Sequence, residues 1–349
     1  MLTVLLLLAS QGATAACPQT PELRDADGEL TVLEQNLKFI VVGSHRAERA
    51  GLLHGYLDGD GAGVDLLLLS EARLTESLSA WGSGWCFYTQ AGNGLADDGY
   101  TWSPIESGTP PGGLAMGVRQ RENGLLRHIS GGGRRFRAQP VSLAEGVLGS
   151  LGHYWKGWAS LTVDDTRIVW SHTQASYRRQ PERGAGRLGR GRAGQFDDLA
   201  DDLGHPLQAT LITGDLNLLA GFEPKVASDD ARVARARDID DGTVRTFRNR
   251  TGVDLAWFST VGTFMGSVFK GPQSRSWDTE AAYDRVGVNA AFLVRHPGTR
   301  VAPVEIGDAH MRVSDHLGLR ITIPFAEAAE QRDATHATRV GGGRVDAAW

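Results

Sequence analysis

The sequence predicts an α+β protein in which two mixed β-sheets pack against each other and helices flank them. Two observations lead to this prediction. Short runs of aliphatic and β-branched residues recur along most of the chain, and only a few segments between them have helical periodicity. Each sheet has to bury an apolar face, so this many strands are best accommodated as two sheets around one core. With 349 residues, of which 41% are hydrophobic, the chain is long enough for such a core.

The individual elements follow from local patterns. Strands are predicted at residues 30–40, 64–71, 113–120, 157–174, 209–217, 283–294 and 317–325. The run 157–174 contains Val-Asp-Asp-Thr-Arg, which is typical of a hairpin turn, so this run is expected to hold two strands. Residues 45–57 and 193–204 carry apolar residues at helical spacing, and the second segment ends at a glycine, so both are predicted to be helices.

The two ends of the chain are predicted to lie outside the folded domain. Residues 1–16 combine an apolar run with small residues, which is typical of a cleaved secretory signal, and residues 17–28 follow as an N-terminal segment. Residues 326–349 are rich in alanine, glycine and charge and are predicted to be a flexible tail. This leaves residues 29–325 as the domain and predicts a secreted or periplasmic protein.

The chain contains two cysteines, Cys17 and Cys86, which leave one possible disulfide. An oxidising compartment permits the bond, but the sequence leaves open whether the two residues come close enough. Cys17 also follows the small residues of the signal, which raises the alternative of a lipid anchor. Against the anchor, Thr14 stands where a lipobox normally has leucine.

Charge and aromatic content bear on the partner. A formal net charge of −5 gives no overall attraction to nucleic acid, so any such binding has to be local. Residues 178–192 contain six arginines among glycine and proline and are predicted to be a loose basic loop, either simply solvated or binding phosphates. The aromatic segment 255–269 either belongs to the core or contacts a membrane interface.

Polar residues recur where the predicted strands end. In chain order these residues are Asn36, Glu71, His172, Asp215, Asn217, Asp284, Asp315 and His316. If the strands form packed sheets, these ends converge on one rim, where carboxylates suit a hard divalent cation and histidines suit proton transfer. Taken singly, each residue is explained equally well by a solvated strand end or a turn. The ordered set is the informative signal.

This order of motifs resembles the endonuclease/exonuclease/phosphatase superfamily over residues 29–325. Two stretches within it, YWKGWASL at 154–161 and SHTQASY at 171–177, are similar to the Lys-Gly and Thr-His-Leu-Gln-Ala motifs of neutral and bacterial sphingomyelinases. The stretch RAGQFDDL is similar to the helix with an Arg-x-x-Gln motif that follows there. The sequence departs from the sphingomyelinases at Leu151, where they place aspartate, and around Glu71 and Asp284. The resemblance implies a DNase I-like four-layer α/β sandwich.

The resemblance also implies hydrolysis of a phosphate ester with Mg²⁺, or with Mn²⁺ or another divalent cation. The implied metal ligands are Glu71, Asn36 and Asp315. The implied catalytic residues are His316 as general base, Asp284 as its orienting partner, Asp215 beside the water or leaving group, His172 and Asp315. The implied substrate-binding residues are Asn217, Asn36 and Lys156.

Three functions are compatible with these residues. The first is a sphingomyelinase-like phosphodiesterase that removes a phospholipid headgroup and makes peripheral contact with the membrane. The second is a secreted non-specific endonuclease, for which nucleic acid is the substrate. The third is an inactive module that binds a membrane or a partner, although the sequence makes no obligate protein partner evident.

Overall fold

The computed structural model describes residues 17–25, 28–37, 45–72, 84–90, 102–104, 114–137, 156–173, 189–219, 231–259, 270 and 283–325. The predicted signal, the predicted tail and residues 260–269 of the aromatic segment lie outside these ranges. No helix within them is both long enough and apolar enough to cross a bilayer.

The described residues form fifteen strands and four helices. The strands are β1 (Leu23–Asp25), β2 (Glu29–Asn36), β3 (Leu66–Ser70), β4 (Trp85–Gln90), β5 (Trp102–Pro104), β6 (Ala115–Arg119), β7 (Leu125–Arg127), β8 (Ile129–Arg135), β9 (Gly157–Val163), β10 (Thr166–His172), β11 (Ala209–Asp215), β12 (Asp254–Ser259), β13 (Asp284–Val288), β14 (Arg300–Val304) and β15 (Gly318–Pro324). The helices are α1 (Arg46–Asp58), α2 (Gly189–Leu203), α3 (Ala231–Thr251) and α4 (Ala290–Arg295).

Two mixed sheets dominate the fold. The seven-stranded sheet has the order β14-β15-β2-β3-β6-β4-β5, and the six-stranded sheet has the order β12-β13-β11-β10-β9-β8. Among its described strands, each of these two sheets contains a single parallel pair, β2 with β3 in the first and β10 with β11 in the second, and its other pairs are antiparallel. β1 and β7 form a separate two-stranded antiparallel sheet.

The two sheets pack face to face, with helices on the outside. Leu30 and Val32 of β2 belong to the same buried cluster as Trp170 of β10 and Leu211 of β11, so this cluster is the core between the sheets. The next residue of β2, Leu33, points to the other face, as the alternation of a strand requires, and packs in a cluster with α1.

Helices α2 and α3 cover the outer face of the six-stranded sheet. Phe196 of α2 and Phe247 of α3 meet edge to face at 5.5 Å, and they share a buried cluster with Val169 and Ile212 of the sheet. The order helix, sheet, sheet, helices confirms the predicted α/β sandwich of four layers.

Three local predictions differ from the structure. The strand predicted at 283–294 ends at Val288, because Asn289 caps α4 by accepting a hydrogen bond from the Phe292 amide. α3 was not predicted, since arginines and aspartates separate its few apolar residues. α2 begins at Gly189, so the last four residues of the predicted basic loop are helical, and Arg192 is buried against Asp240.

Cys17 and Cys86 form a disulfide, with their Cα atoms 5.5 Å apart. The bond ties the segment before β1 to β4 and closes a loop with a sequence separation of 69. A loop of this size is expected to stabilise the fold by roughly 4 kcal/mol, mainly by restricting the unfolded chain.

We therefore expect replacement of both cysteines by alanine to lower the melting temperature by about 10 °C, at roughly 2–4 °C per kcal/mol. The unmodified protein melted in dithiothreitol serves as the matched comparison, because it loses the bond without losing side-chain volume. Equal melting temperatures with and without dithiothreitol, for a protein whose free thiols have been titrated, would contradict this expectation.

Candidate active site

The site is built at one end of the two parallel strand pairs. β2 ends at Asn36 and β10 ends at His172, while Glu71 follows β3 and Asp215 ends β11. Parallel neighbours finish at the same edge of a sheet, so each pair delivers two side chains to one edge. The two edges face each other, because Nδ2 of Asn36 donates a hydrogen bond of 3.0 Å to Oδ2 of Asp215 across the sandwich.

One cluster contains Glu71, His172 and Asp215, which offer ligand atoms within 4.8 Å of one another. Nε2 of His172 lies 3.1 Å from Oε1 of Glu71 and 3.6 Å from Oδ2 of Asp215. Lys156, which precedes β9, is buried, and its Nζ lies 3.2 Å from Nδ1 of His172 and also contacts Nε2. A histidine between two carboxylates and an ammonium group gives this half of the site both signs of charge.

A second cluster shares Asp215 with the first and adds Asp284 and His316, again with ligand atoms within 4.8 Å. Asp284 lies directly opposite Asp215 in the β11–β13 register. Its Oδ2 is 2.9 Å from Nδ1 of His316. This contact orients the imidazole and keeps a proton on Nδ1. A histidine held in this way can give or accept a proton at Nε2.

The charges of the site shift two pKa values far from their usual range. Burial alone would raise the pKa of Glu71, but the hydrogen bond and charge of His172, together with Lys156, lower it to about 2. Burial alone would lower the pKa of His316, but the neighbouring carboxylates, Asp284 and Asp215 first among them, raise it to about 10. At neutral pH Glu71 is therefore ionised, and His316 is protonated on both ring nitrogens in the ligand-free protein.

Two predicted site residues are held in ways that the sequence did not indicate. Asn217 lies beyond the end of β11 with a left-handed backbone (φ 50°), so it does not continue the strand from Asp215. Its Nδ2 donates to the Thr173 carbonyl at 3.1 Å, directly after His172. Asp315 is fully buried beside His316, and its charge also raises the pKa of that histidine.

The loops that carry these residues are held from behind by buried arginines. Nε of Arg49, in α1, donates to the Val313 carbonyl at 2.7 Å, and its guanidinium also contacts the Leu37 carbonyl. Arg285 donates to the Leu218 carbonyl at 3.1 Å. These bonds fix the backbone next to Asn36, Asn217 and Asp315.

One acidic residue of this region was missed in the sequence. Glu34 lies in β2, two residues before Asn36, and its side chain is buried. Its pKa is raised well above the usual range by burial and by the charges of Asp284 and Asp215. A detectable signal was present, because Leu30, Val32, Glu34 and Asn36 share one face of the strand and a carboxylate is unusual in such a row.

Comparisons with known proteins place the fold. No protein-family model and no curated sequence matches the chain. The crystal structure of D. rerio TDP2 complexed with a single-strand DNA product matches with a TM-score of 0.50 and 16% identity, over 85% of this chain and 99% of that one. This match agrees with the two mixed sheets and outer helices described above. The chain has the DNase I-like fold.

Two further solved structures match the DNase I-like chain with similar coverage. Sphingomyelinase C from Streptomyces griseocarneus has a TM-score of 0.49 and 16% identity, over 84% of this chain and 99% of that one. Staphylococcus aureus beta toxin with bound magnesium ions has a TM-score of 0.49 and 15% identity, also over 84% and 99%. The fold expected from the sequence resemblance is confirmed by the TDP2 match with a TM-score of 0.50 and by the two mixed sheets.

The donor set of this DNase I-like site fits a hard divalent cation. Asp215 Oδ1 and both carboxyl oxygens of Glu34 are buried without a hydrogen-bond partner. Carboxylate and amide oxygens are the donors that Mg²⁺ and Mn²⁺ prefer, and Glu71, Asn36 and Asp215 supply them from both sheets. The sequence named Asp315 as a ligand in place of Asp215, and Asp315 lies next to the same cluster.

The raised pKa of His316 has a consequence for stability in the presence of EDTA. A histidine with a raised pKa stabilises the fold fully below its unfolded value of 6.5, and this contribution is lost as the pH rises toward about 10. We expect the melting temperature to fall over that interval, and to fall less in an Asp284→Asn variant, which lacks the charge that raises the pKa most. If the melting temperatures of the two proteins fell equally with pH, Asp284 would not be the cause of the raised pKa of His316.

Proposed function

We propose that the protein is a divalent-cation-dependent phosphodiesterase that hydrolyses a phosphate ester with water. The observation that carries this proposal is the position of Asp215, which belongs to both clusters of possible ligands and bonds Asn36 of the opposite sheet. One carboxylate thereby joins a cation-binding half of the site to a half with a histidine suited to proton transfer. An adventitious cluster of surface acids has no such connection to an oriented histidine.

The protein's own residues divide the reaction between them. In this proposal His316 loses its second proton when the positive charge of a bound cation offsets the carboxylates around it, and Nε2 then accepts a proton from the attacking water, because Asp284 occupies Nδ1. Glu71, Asn36 and Asp215 would hold the cation, which when bound would neutralise charge on the phosphate. Asp215 would also orient the water or the leaving group, and Asp315, which the sequence named as a ligand, lies beside the base.

In this proposal the phosphate is bound by Lys156, His172 and Asn217. Lys156 brings positive charge against the carboxylates and lies beside His172, and buried donors of this kind stabilise developing charge on phosphoryl oxygens. Asn217 adds an amide next to His172, since its side chain is anchored on the neighbouring carbonyl.

For the substrate, we propose the headgroup ester of a phospholipid such as sphingomyelin. The support is the contact between Lys156 and His172, which joins the two stretches that are similar to sphingomyelinase motifs. The disulfide and the signal-like N-terminus support a secreted or periplasmic location. In the described part of the aromatic segment, Trp257 and Phe258 pack against the core, so they do not supply the membrane contact.

DNA is the second candidate substrate. It is favoured by the structural match with the highest TM-score quoted above, that of TDP2 complexed with a single-strand DNA product. The net charge of −5 weighs against this candidate, because nucleic-acid binding draws on positive charge.

The test uses the mature protein with sphingomyelin vesicles and plasmid DNA in parallel, each with Mg²⁺ and with EDTA. Phosphocholine release that requires Mg²⁺ would establish the lipid substrate. Mg²⁺-dependent nicking of DNA with intact vesicles would establish the nuclease. If neither substrate reacts and bis(p-nitrophenyl) phosphate is also untouched, the phosphodiesterase proposal is wrong.

A further inference from the structure

Glu34 occupies a place in the fold that is normally apolar. In the seven-stranded sheet it is flanked by Leu68 of β3 and Leu319 of β15, and both leucines belong to the core between the sheets. Its side chain is 1% exposed, and neither carboxyl oxygen has a hydrogen-bond partner. A buried carboxyl group without a partner costs free energy, so its presence in a leucine row calls for a compensating interaction.

The surroundings of Glu34 offer negative charge and little positive charge. Asp215 and Asp284 of the opposite sheet are close enough to Glu34 to act on it electrostatically, and the charge of His316 opposes their effect. Among the described residues of the whole site, the five carboxyl groups of Glu34, Glu71, Asp215, Asp284 and Asp315 meet Lys156 and two histidines. Even with both histidines protonated, the site keeps an excess of acid groups that a divalent cation can neutralise.

The direction of the side chain also points to the cation-binding part of the site. Residues two apart on a strand face the same side, so Glu34 and Asn36 both face the six-stranded sheet. Asn36 bonds Oδ2 of Asp215, whereas Oδ1 of Asp215 has no hydrogen-bond partner, as is true of both oxygens of Glu34. Three buried acceptor oxygens without a hydrogen-bond partner are thus left on two residues that belong to opposite sheets and act on each other electrostatically.

We propose that Glu34 is an additional carboxylate ligand of the cation site. It would bind the cation together with Asp215, from the position two residues before Asn36 in β2. This inference rests on the proposed function, because it assigns a further residue to the same site. It also gives the leucine row of β2 a reason to be interrupted at this position.

The test is calorimetric titration of the metal-free protein with MgCl₂ and MnCl₂, together with the rise in melting temperature that each salt produces. We expect Glu34→Gln, which keeps the shape and removes the charge, to weaken binding by roughly 10–100-fold. Glu34→Asp keeps the charge and should retain part of the affinity. Near-UV circular dichroism of both variants establishes that they are folded.

The matched control is Asp65→Asn. Asp65 is also buried and also acidic, but it lies at the other end of the parallel pair, where it accepts from the Thr31 amide and pairs with Arg121 at 2.7 Å. This variant should lose stability and keep the affinity of the unmodified protein for both cations.

Two outcomes separate this inference from the proposed function. If the unmodified protein binds Mg²⁺ and the folded Glu34→Gln variant binds it equally well, Glu34 is not part of the cation site and the proposed function stands. If the unmodified protein gives neither heat nor a shift in melting temperature with either cation, the cation-dependent function and this inference both fail.

Discussion

Replacing His316 by alanine is expected to slow hydrolysis of a phosphodiester by at least roughly 100-fold, and by as much as 10,000-fold if proton transfer limits the rate. The expectation follows from the contact of 2.9 Å between Nδ1 of His316 and Asp284, which leaves Nε2 for the water. The measurement is the initial rate on bis(p-nitrophenyl) phosphate at saturating Mg²⁺, since this ester needs no membrane and no base-specific contact.

The chain supplies a matched control for this variant. His54 of α1 pairs with Asp58 at 3.4 Å, so it is another histidine beside an aspartate, but its side chain is 44% exposed and lies on the outer face. His54→Ala should keep the full rate. An activity loss equal in the two variants would mean that the effect of His316→Ala comes from a general change in the fold.

Replacing Glu71 by glutamine is expected to abolish most of the response to Mg²⁺. The pKa of Glu71 is lowered to about 2, so the carboxylate is ready for a cation without first losing a proton. Glutamine keeps the size of the side chain but removes the charge. We expect the Mg²⁺ concentration for half-maximal activity to rise roughly 10–100-fold or more, with a lower rate at saturation.

Glu305→Gln is the control for this second variant. Glu305 also has a lowered pKa and contacts Lys270 at 2.7 Å and Arg312 at 3.0 Å, but neither partner belongs to the site. The two variants remove the same charge from comparable ion pairs. An unchanged Mg²⁺ requirement in Glu71→Gln would show that the cation binds elsewhere or is not needed.

The sequence predicted the fold, and it predicted that polar strand ends meet at one rim, where the structure brings most residues of the candidate site together. An apolar run that stops at a polar residue, as at Asn36 or Asp215, is visible without a structure, and the ordered motifs predicted which of these ends share a rim. The sequence could not indicate the role proposed for Glu34, since that proposal depends on residues of the opposite sheet. It also gave no prediction of α3, whose apolar contact with the sheet is made around Phe247.

Local backbone strain was equally invisible in the sequence. Glu71 and Asn217 both adopt left-handed backbone conformations, with φ values of 53° and 50°. For residues other than glycine this conformation costs free energy and persists only where the surroundings enforce it. The sequence motifs identified both residues, but the left-handed backbone that orients their side chains could be seen only in the structure.

The division of the site between two sheets has a consequence for the mechanics of the molecule. Asn36, Glu71 and Asp315 belong to one half of the sandwich, and His172, Asp215 and Asp284 belong to the other. Any ligand that binds both groups therefore links the two sheets and stabilises their packing against each other. We expect ligand binding to slow amide hydrogen exchange in the parts of β2 and β11 that lie far from the site, relative to the ligand-free protein.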